Sequence, residues 1–157
     1  MKIPKILIVE DDYLFAEDMR QDILSNPKFA DAEIDMVCTE QEFRENFLKI
    51  TLAQYDLIIL DVMIRWVEPS PEPKPIDDDV LADGYFRAGI RCLKKLRTVD
   101  ATKEIPVVIH SNLDDKEIRD EMNRQHLNGV SQIVPKSGNA RKLMDAVENA
   151  IRSRGKS

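Results

Sequence analysis

Polar side chains end four of the apolar, β-branched segments in this chain, and their types suit phosphate and metal chemistry. Glu10 and Asp11 follow the first of these segments, Asp61 follows the second, Ser111 ends the third and Lys136 follows the fourth. Continuous apolar runs of this length are typical of strands that are buried on both faces of a parallel sheet. Because the carboxyl ends of such strands meet at one edge, these side chains can converge there.

The three carboxylates Glu10, Asp11 and Asp61 predict a divalent cation site. Clustered carboxylates resist joint ionisation, and a bound cation removes that cost. Ligands that are all oxygen favour Mg²⁺, with Mn²⁺ as the alternative. Asp12 lies past the strand end, and we interpret it as a helix cap.

Opposite these acids, Ser111 and Lys136 supply a hydroxyl and a cation. The hydroxyl can donate to one phosphoryl oxygen, and the lysine can pair with another as a point charge. Asp61 is then the expected nucleophile, since a carboxylate can form an aspartyl-phosphate. The combination therefore predicts a site for phosphoryl chemistry.

Strand and helix patterns alternate along the chain and predict the elements that position these residues. The expected strands cover residues 6–9, 33–38, 55–60, 105–111 and 130–134. The expected helices cover residues 13–24, 39–50, 84–97 and 114–126, with a fifth that Asn139 caps. This order predicts one domain with five strands and five helices, an α/β three-layer sandwich with right-handed crossovers.

Residues 65–83 interrupt this rhythm, and we call them the insertion. They contain four of the eight prolines, followed by an acidic run at 77–79. Such a composition favours an extended, polyproline-like segment over a helix or strand. We interpret the acidic run as a solvated face. Trp66 begins the insertion, either as a packing anchor or as a cover or partner contact for the site.

Composition restricts the function classes. The chain has 157 residues and a net charge of −6, which argues against general nucleic-acid binding. The basic residues of 91–97 are expected to form a solvated helix face. No segment is apolar for long enough to predict a membrane span, and two cysteines suggest a reducing cytoplasm.

The segments 6–12, 55–63 and 105–111, together with Lys136, resemble the receiver domain of two-component response regulators. The resemblance covers nearly the whole chain and implies a flavodoxin-like receiver fold with strand order 2-1-3-4-5. It implies that Asp61 accepts a phosphoryl group from a histidine kinase or phosphotransfer protein. It also implies that Mg²⁺ is held by Glu10, Asp11, Asp61 and the backbone carbonyl of Met63.

The chain departs from the family pattern at several places around this site. Ile64-Arg65-Trp66 stands where the family usually has Met-Pro shortly after the phosphoacceptor. Ser137, rather than proline, follows the lysine, so we do not assume a cis peptide there. Ile133 replaces the switch aromatic of the fifth strand, and Asn112 stands where Ala or Gly is usual.

We interpret residues 1–157 as a single receiver domain without an output domain, since the chain ends soon after its last helix. It is then a phosphoacceptor signalling protein rather than an enzyme, with output through an unknown protein target; homodimer formation stays open. The alternative is a receiver-like binding module that acts without phosphorylation. A metal-dependent phosphatase is disfavoured because Asp61-Val62-Met63 lacks the second acid.

One further residue invites a catalytic interpretation. His110 directly precedes Ser111 and could be taken for a base. Strand alternation points the two side chains to opposite faces, so we predict that His110 is a packed structural residue.

Overall fold

The computed structural model of the protein describes residues 2–72, 74–84, 87–127 and 129–155. Within these ranges the chain forms five strands and seven α-helices. In chain order they are β1 (Lys5–Val9), α1 (Tyr13–Ser25), β2 (Glu33–Val37), α2 (Glu40–Glu45), α3 (Phe47–Leu52), β3 (Leu57–Leu60), α4 (Asp78–Asp83), α5 (Ala88–Arg97), β4 (Val107–Ser111), α6 (Asp115–Arg124), β5 (Val130–Pro135) and α7 (Ala140–Arg154).

The five strands form one all-parallel sheet in the order β2-β1-β3-β4-β5, which confirms the predicted α/β receiver architecture. The central strands are buried on both faces because alternate residues enter two separate hydrophobic clusters. Leu7 and Leu60 pack on the side of α2, α5 and α6. Ile8 and Ile59 pack on the side of α1 and α7. Their apolar runs therefore specify the middle layer of the sandwich.

The helix predicted over residues 39–50 is two helices in the structure. Thr39 caps α2 as expected, its side chain accepting a hydrogen bond from the Glu42 N–H at 3.0 Å. The Glu42 carboxylate accepts from Cys38 N–H at 2.9 Å, one residue before the usual capping-box partner. At Asn46 the backbone leaves helical geometry and the side-chain amide donates to the Glu42 carbonyl, which separates α2 from α3.

The insertion contains the other additional helix. We predicted an extended segment throughout, but α4 forms over its last six residues and ends at Gly84, where φ is 90°. Asp77 and Asp79 both form ion pairs with Arg44 of α2, at 2.9 and 2.7 Å. The acidic run therefore starts a helix and attaches it to α2, while its acids stay exposed at the surface, as predicted for a solvated face.

The helix predicted over residues 84–97 begins at Ala88 in the structure, and Phe86 lies outside the described residues. Arg91 was expected on a solvated face, yet it is buried with 7% exposure. Its guanidinium contacts Glu40 of α2, which explains how a charged side chain can lie in the interior. Across the described ranges, no helix has the length and apolarity needed to cross a bilayer.

Candidate metal and phosphoacceptor site

The structure brings the three predicted acids together at the carboxyl edge of the sheet. Glu10 and Asp11 directly follow β1, Asp61 directly follows β3, and these strands are neighbours paired at Val9 and Leu60. One carboxylate oxygen from each acid lies within 4.8 Å of the others. Glu10 is 2% exposed and Asp61 is 5% exposed, whereas Asp11 is partly accessible.

Lys136 lies directly after β5 and reaches two of these carboxylates. Its Nζ donates a hydrogen bond to Asp61 Oδ2 at 2.7 Å and lies 2.6 Å from Glu10 Oε2. Burial alone lowers the pKa of Lys136, but contacts with Asp61 and Glu10 outweigh that effect, so the pKa is raised overall. The ammonium group therefore stays charged and offsets part of the negative charge.

The contacts of the Glu10 carboxylate offset only part of the cost of burying its charge. Desolvation raises the pKa of its carboxyl to about 7, although Lys136 and the Asp12 N–H act in the opposite direction. Among the described residues, its Oε2 has the ion-pair contact with Lys136 but no hydrogen bond with suitable geometry. A carboxylate of this kind, beside two others, fits a hard divalent cation such as Mg²⁺.

The Asp61 carboxylate is held at both oxygens. Its backbone N–H donates to the Val9 carbonyl at 3.0 Å, which continues the sheet pairing past β3. Its Oδ1 accepts from the Met63 N–H at 3.2 Å, and Oδ2 accepts from Lys136. The structure thus fixes Asp61 between an N–H group and a cation, while the role predicted for the Met63 carbonyl stays a prediction.

Ser111 is the last residue of β4 and is 1% exposed. Its Oγ accepts a hydrogen bond from the Leu113 N–H at 3.3 Å, and its carbonyl accepts from the Lys136 N–H at 3.0 Å. The second bond joins the ends of β4 and β5. The hydroxyl proton of Ser111 is not used in the bond with Leu113, so the role predicted for it as a donor to a phosphoryl group stays a prediction.

His110 is a packed residue, as predicted. It is 6% exposed and faces α1, where its ring stacks on Phe15 with centroids 5.5 Å apart and its Nδ1 lies 3.3 Å from the Met19 sulfur. Burial, and then the charge of Lys136, lowers the pKa of His110 to about 4. The imidazole is therefore neutral in the folded protein at physiological pH.

This buried imidazole should make stability depend on pH. The unfolded chain binds a proton at His110 below its ordinary pKa of 6.5, whereas the folded chain resists protonation down to about 4. The contribution of neutral His110 to the free energy of unfolding is therefore complete above pH 6.5. As the pH falls from 6.5 to about 4, the free energy of unfolding decreases by up to about 3 kcal/mol. Urea unfolding of wild type and His110→Phe at about pH 7 and about pH 4.5 checks this. Equal acid losses for both proteins would contradict it.

The sequence did not reveal that Arg65, in the insertion, would contact the acidic cluster. Its backbone N–H donates to Asp11 Oδ2 at 3.0 Å and its Nε lies 3.5 Å from the same oxygen. Trp66 is buried, and its Nε1–H donates to the Pro75 carbonyl at 3.3 Å, which supports the interpretation of Trp66 as a packing anchor. The only sequence signal was that the insertion begins shortly after Asp61.

The other departures from the family pattern have simple structural descriptions. Ile133 is partly buried on β5 and packs against the hydrophobic cluster on the side of α5 and α6. Its position is thus filled by an aliphatic side chain rather than a ring. The described residues contain no cis peptide bond, so the bond between Lys136 and Ser137 is trans.

Comparison with known proteins identifies solved structures that have the same fold. No family model and no curated protein sequence matches the chain. A CheY-like response regulator receiver domain protein from Methanospirillum hungatei JF-1 has a TM-score of 0.68 at 17% identity, covering 99% of this chain and 98% of the other. A signal receiver domain of two-component signal transduction (histidine kinase) from Clostridium thermocellum has a TM-score of 0.71 at 17% identity, covering 94% and 97%.

The chemotaxis response regulator CheY4 of Vibrio cholerae is also similar, with a TM-score of 0.65 at 18% identity over 95% of this chain and 99% of that one. Identities this low relate the proteins by fold. The chain therefore has the fold of response regulator receiver domains, and the acidic cluster and Lys136 lie at the edge where this class of fold forms its sites.

Proposed function

We propose that the protein is a response regulator receiver that accepts a phosphoryl group on Asp61 in a Mg²⁺-dependent reaction. The donor is a histidine kinase or a phosphotransfer protein, and the output is binding to another protein. One observation carries the proposal: the buried Asp61 carboxylate lies among two further acids and pairs with Lys136 at 2.7 Å.

The chemistry follows from the contacts of Asp61. A carboxylate oxygen attacks the phosphorus of a phosphohistidine, an O–P bond forms, and the P–N bond breaks with its electron pair going to the imidazole nitrogen. Lys136 offsets the charge on the carboxylate and on the incoming phosphoryl oxygens. The Ser111 hydroxyl donates to a phosphoryl oxygen. Glu10, Asp11 and Asp61 would hold a Mg²⁺ ion, which would supply further charge neutralisation.

Phosphorylation would act as a switch through the ends of β4 and β5. It replaces the single charge of the Asp61 carboxylate by a phosphoryl group that carries nearly two negative charges, beside Lys136 and Ser111. Because the Lys136 N–H is bonded to the Ser111 carbonyl, a change at either residue affects the other. We expect this to shift the population of loop conformations that a protein partner recognises.

The proposal predicts complete loss of phosphorylation in Asp61→Asn. Wild-type protein incubated with Mg²⁺ and acetyl phosphate should gain one phosphoryl group by intact mass, and chelation of the cation should prevent the gain. Asp12→Asn is the matched control, because Asp12 caps α1 through the Phe15 N–H and asparagine caps equally well. That variant should be phosphorylated like wild type.

Two results would oppose the proposal. The first is an equal mass gain in Asp61→Asn, which would place the acceptor elsewhere. The second is no gain in wild type either from acetyl phosphate or from a phosphorylated phosphotransfer protein, which would remove the phosphoacceptor role.

A second candidate function is a receiver-like binding module that acts without phosphorylation. The aliphatic Ile133 in the switch position favours it, as does the contact that already engages Asp11 with Arg65. Under this alternative, the wild type takes up no phosphoryl group. A partner protein that co-purifies with the wild type then binds Asp61→Asn and wild type with equal affinity. Under the main proposal, phosphorylation changes that affinity.

A further inference from the structure

Arg65 approaches the acidic cluster from the insertion. Its backbone N–H and its Nε both point to Asp11 Oδ2, at 3.0 and 3.5 Å, and its guanidinium also lies 3.5 Å from Glu68. The Arg65 side chain is 44% exposed, whereas that of Asp11 is 23% exposed. A positive charge from the insertion therefore lies at the rim of the site, on the most accessible of the three acids.

The backbone of Arg65 is fixed in this place by α2. The Glu40 N–H donates to the Arg65 carbonyl at 3.0 Å, and the Gln41 N–H donates to the Trp66 carbonyl at 2.9 Å. The buried Trp66 ring lies below the Arg44 guanidinium, and the distance from Arg44 Cζ to the ring centroid is 5.4 Å. These contacts fix the start of the insertion against α2, so the fold itself places Arg65 beside Asp11.

Asp11 Oδ2 cannot bind the Arg65 side chain and a divalent cation at full strength at the same time. Asp11 Oδ2 already accepts from two N–H donors of Arg65. A cation among Glu10, Asp11 and Asp61 would lie close to the guanidinium and be repelled by it. Arg65 supplies some of the neutralisation that the three acids otherwise obtain from the metal.

We propose that Arg65 is an intramolecular competitor that weakens divalent-cation binding at the cluster of Glu10, Asp11 and Asp61. Cation binding releases the guanidinium from Asp11, while the backbone of the insertion stays attached to α2. Arg65 is thus a positioning residue that acts through Asp11 and raises the Mg²⁺ concentration at which the site is filled. This inference rests on the cation site of the proposed function, but it does not require that Asp61 be phosphorylated.

Titration calorimetry with MgCl₂, in the absence of any phosphoryl donor, tests the inference. Arg65→Gln keeps a long polar side chain and the backbone N–H while removing the charge. We expect its dissociation constant for Mg²⁺ to be about 3- to 10-fold lower than that of wild type, a magnitude typical of one nearby, partly screened charge. Arg65→Lys, which keeps the charge, should bind more like wild type.

The control is Arg152→Gln, which makes the same change in net charge near the end of α7, where Arg152 faces Glu148. It should leave the Mg²⁺ affinity unchanged. The gap between wild type and Arg65→Gln should also narrow at high salt, because screening weakens repulsion between accessible charges. A purely structural role of Arg65 would not produce that salt dependence.

Each result has a distinct meaning. If wild type binds Mg²⁺ and Arg65→Gln binds with equal or lower affinity, Arg65 does not compete, and only this inference is overturned. If neither protein binds Mg²⁺, the cation dependence in the proposed function fails as well. Tighter binding in Arg65→Gln than in wild type and Arg152→Gln supports the competition.

Discussion

Replacing Gly89 with alanine should destabilise the protein by about 3 kcal/mol and disturb Asp61 at the same time. Gly89 lies in the first turn of α5, where its N–H donates to the Val62 carbonyl at 2.9 Å. A Cβ atom added there would be 2.0 Å from the Asp61 carbonyl oxygen and 2.6 Å from the Val62 Cα. These are backbone atoms, so no side chain can rotate away to relieve the clash.

Relief requires movement either of α5 or of the segment that carries Asp61. Both are costly, because Leu60 and Ile90 on either side are fully buried. We therefore expect Gly89→Ala to lower the midpoint of urea unfolding and also to slow phosphorylation of Asp61 by acetyl phosphate. A shift of the Asp61 carbonyl is enough to misplace its carboxylate.

Gly155→Ala is the matched control. Gly155 follows α7 with φ at −69°, and the nearest atom to an added Cβ is 3.7 Å away, an ordinary van der Waals distance. Alanine should be neutral there, or stabilise the protein by a few tenths of a kcal/mol through reduced freedom of the unfolded chain. A Gly89→Ala protein as stable as Gly155→Ala would show that α5 does not require glycine at its approach to Asp61.

The sequence alone predicts the opposite sign for Gly89→Ala. Gly89 lies inside the predicted helix 84–97, and helix propensity favours alanine over glycine by about 1 kcal/mol. The clash arises from a contact between α5 and the end of β3, and local sequence does not encode the distance of that approach. Propensity describes one helix in water, whereas the close approach depends on how two elements pack.

Much of the fold and of the candidate site could nevertheless be predicted. The apolar runs before Glu10 and Asp61 are buried on both faces, and such runs indicate central parallel strands whatever their partners are. The carboxyl ends of parallel strands share an edge, so the meeting of Glu10, Asp11 and Asp61 followed from topology. The strand order itself was implied by the resemblance to receiver domains.

Contacts of the insertion could not be predicted, because its partners are distant in sequence. Four prolines favoured an extended chain, yet Asp77 and Asp79 meet Arg44 and the chain forms α4. A charged side chain in a polar stretch is normally solvated, and only tertiary structure shows which ones are paired. The same reason hid the contact of Arg65 with Asp11.

Arg91 is the most consequential example, and breaking its ion pair should destabilise the protein by about 3–5 kcal/mol. Its Nε and Nη2 donate to the two carboxylate oxygens of Glu40 at 2.8 and 2.7 Å. Burial lowers the pKa of Arg91, but the hydrogen bonds with Glu40 outweigh this and raise it, so the guanidinium stays charged. Both side chains are almost fully buried, so removal of either one leaves charge without water or a full set of partners.

A double-mutant cycle with Glu40→Met and Arg91→Met measures this pair by urea unfolding. Each single variant should lose several kcal/mol, and the double variant should lose clearly less than the sum of the two, since replacing both charges by apolar side chains removes the unpaired group. Each single variant also loses one further ion pair, because Arg44 donates to Glu40 and Arg91 pairs with Asp83 of α4.

The exposed pair of Arg119 with Asp115 on α6 is the control. Its Nε–carboxylate distance of 2.8 Å equals that between Arg91 Nε and Glu40, but both side chains are more than half exposed. Arg119→Met should change stability by less than about 1 kcal/mol. If Arg91→Met costs no more than Arg119→Met, or if the losses in the double variant are simply additive, burial of the Glu40–Arg91 pair does not hold α2 and α5 together. The insertion would then be anchored to α2 by the backbone contacts of Arg65 and Trp66 and by the ion pairs of Asp77 and Asp79 with Arg44.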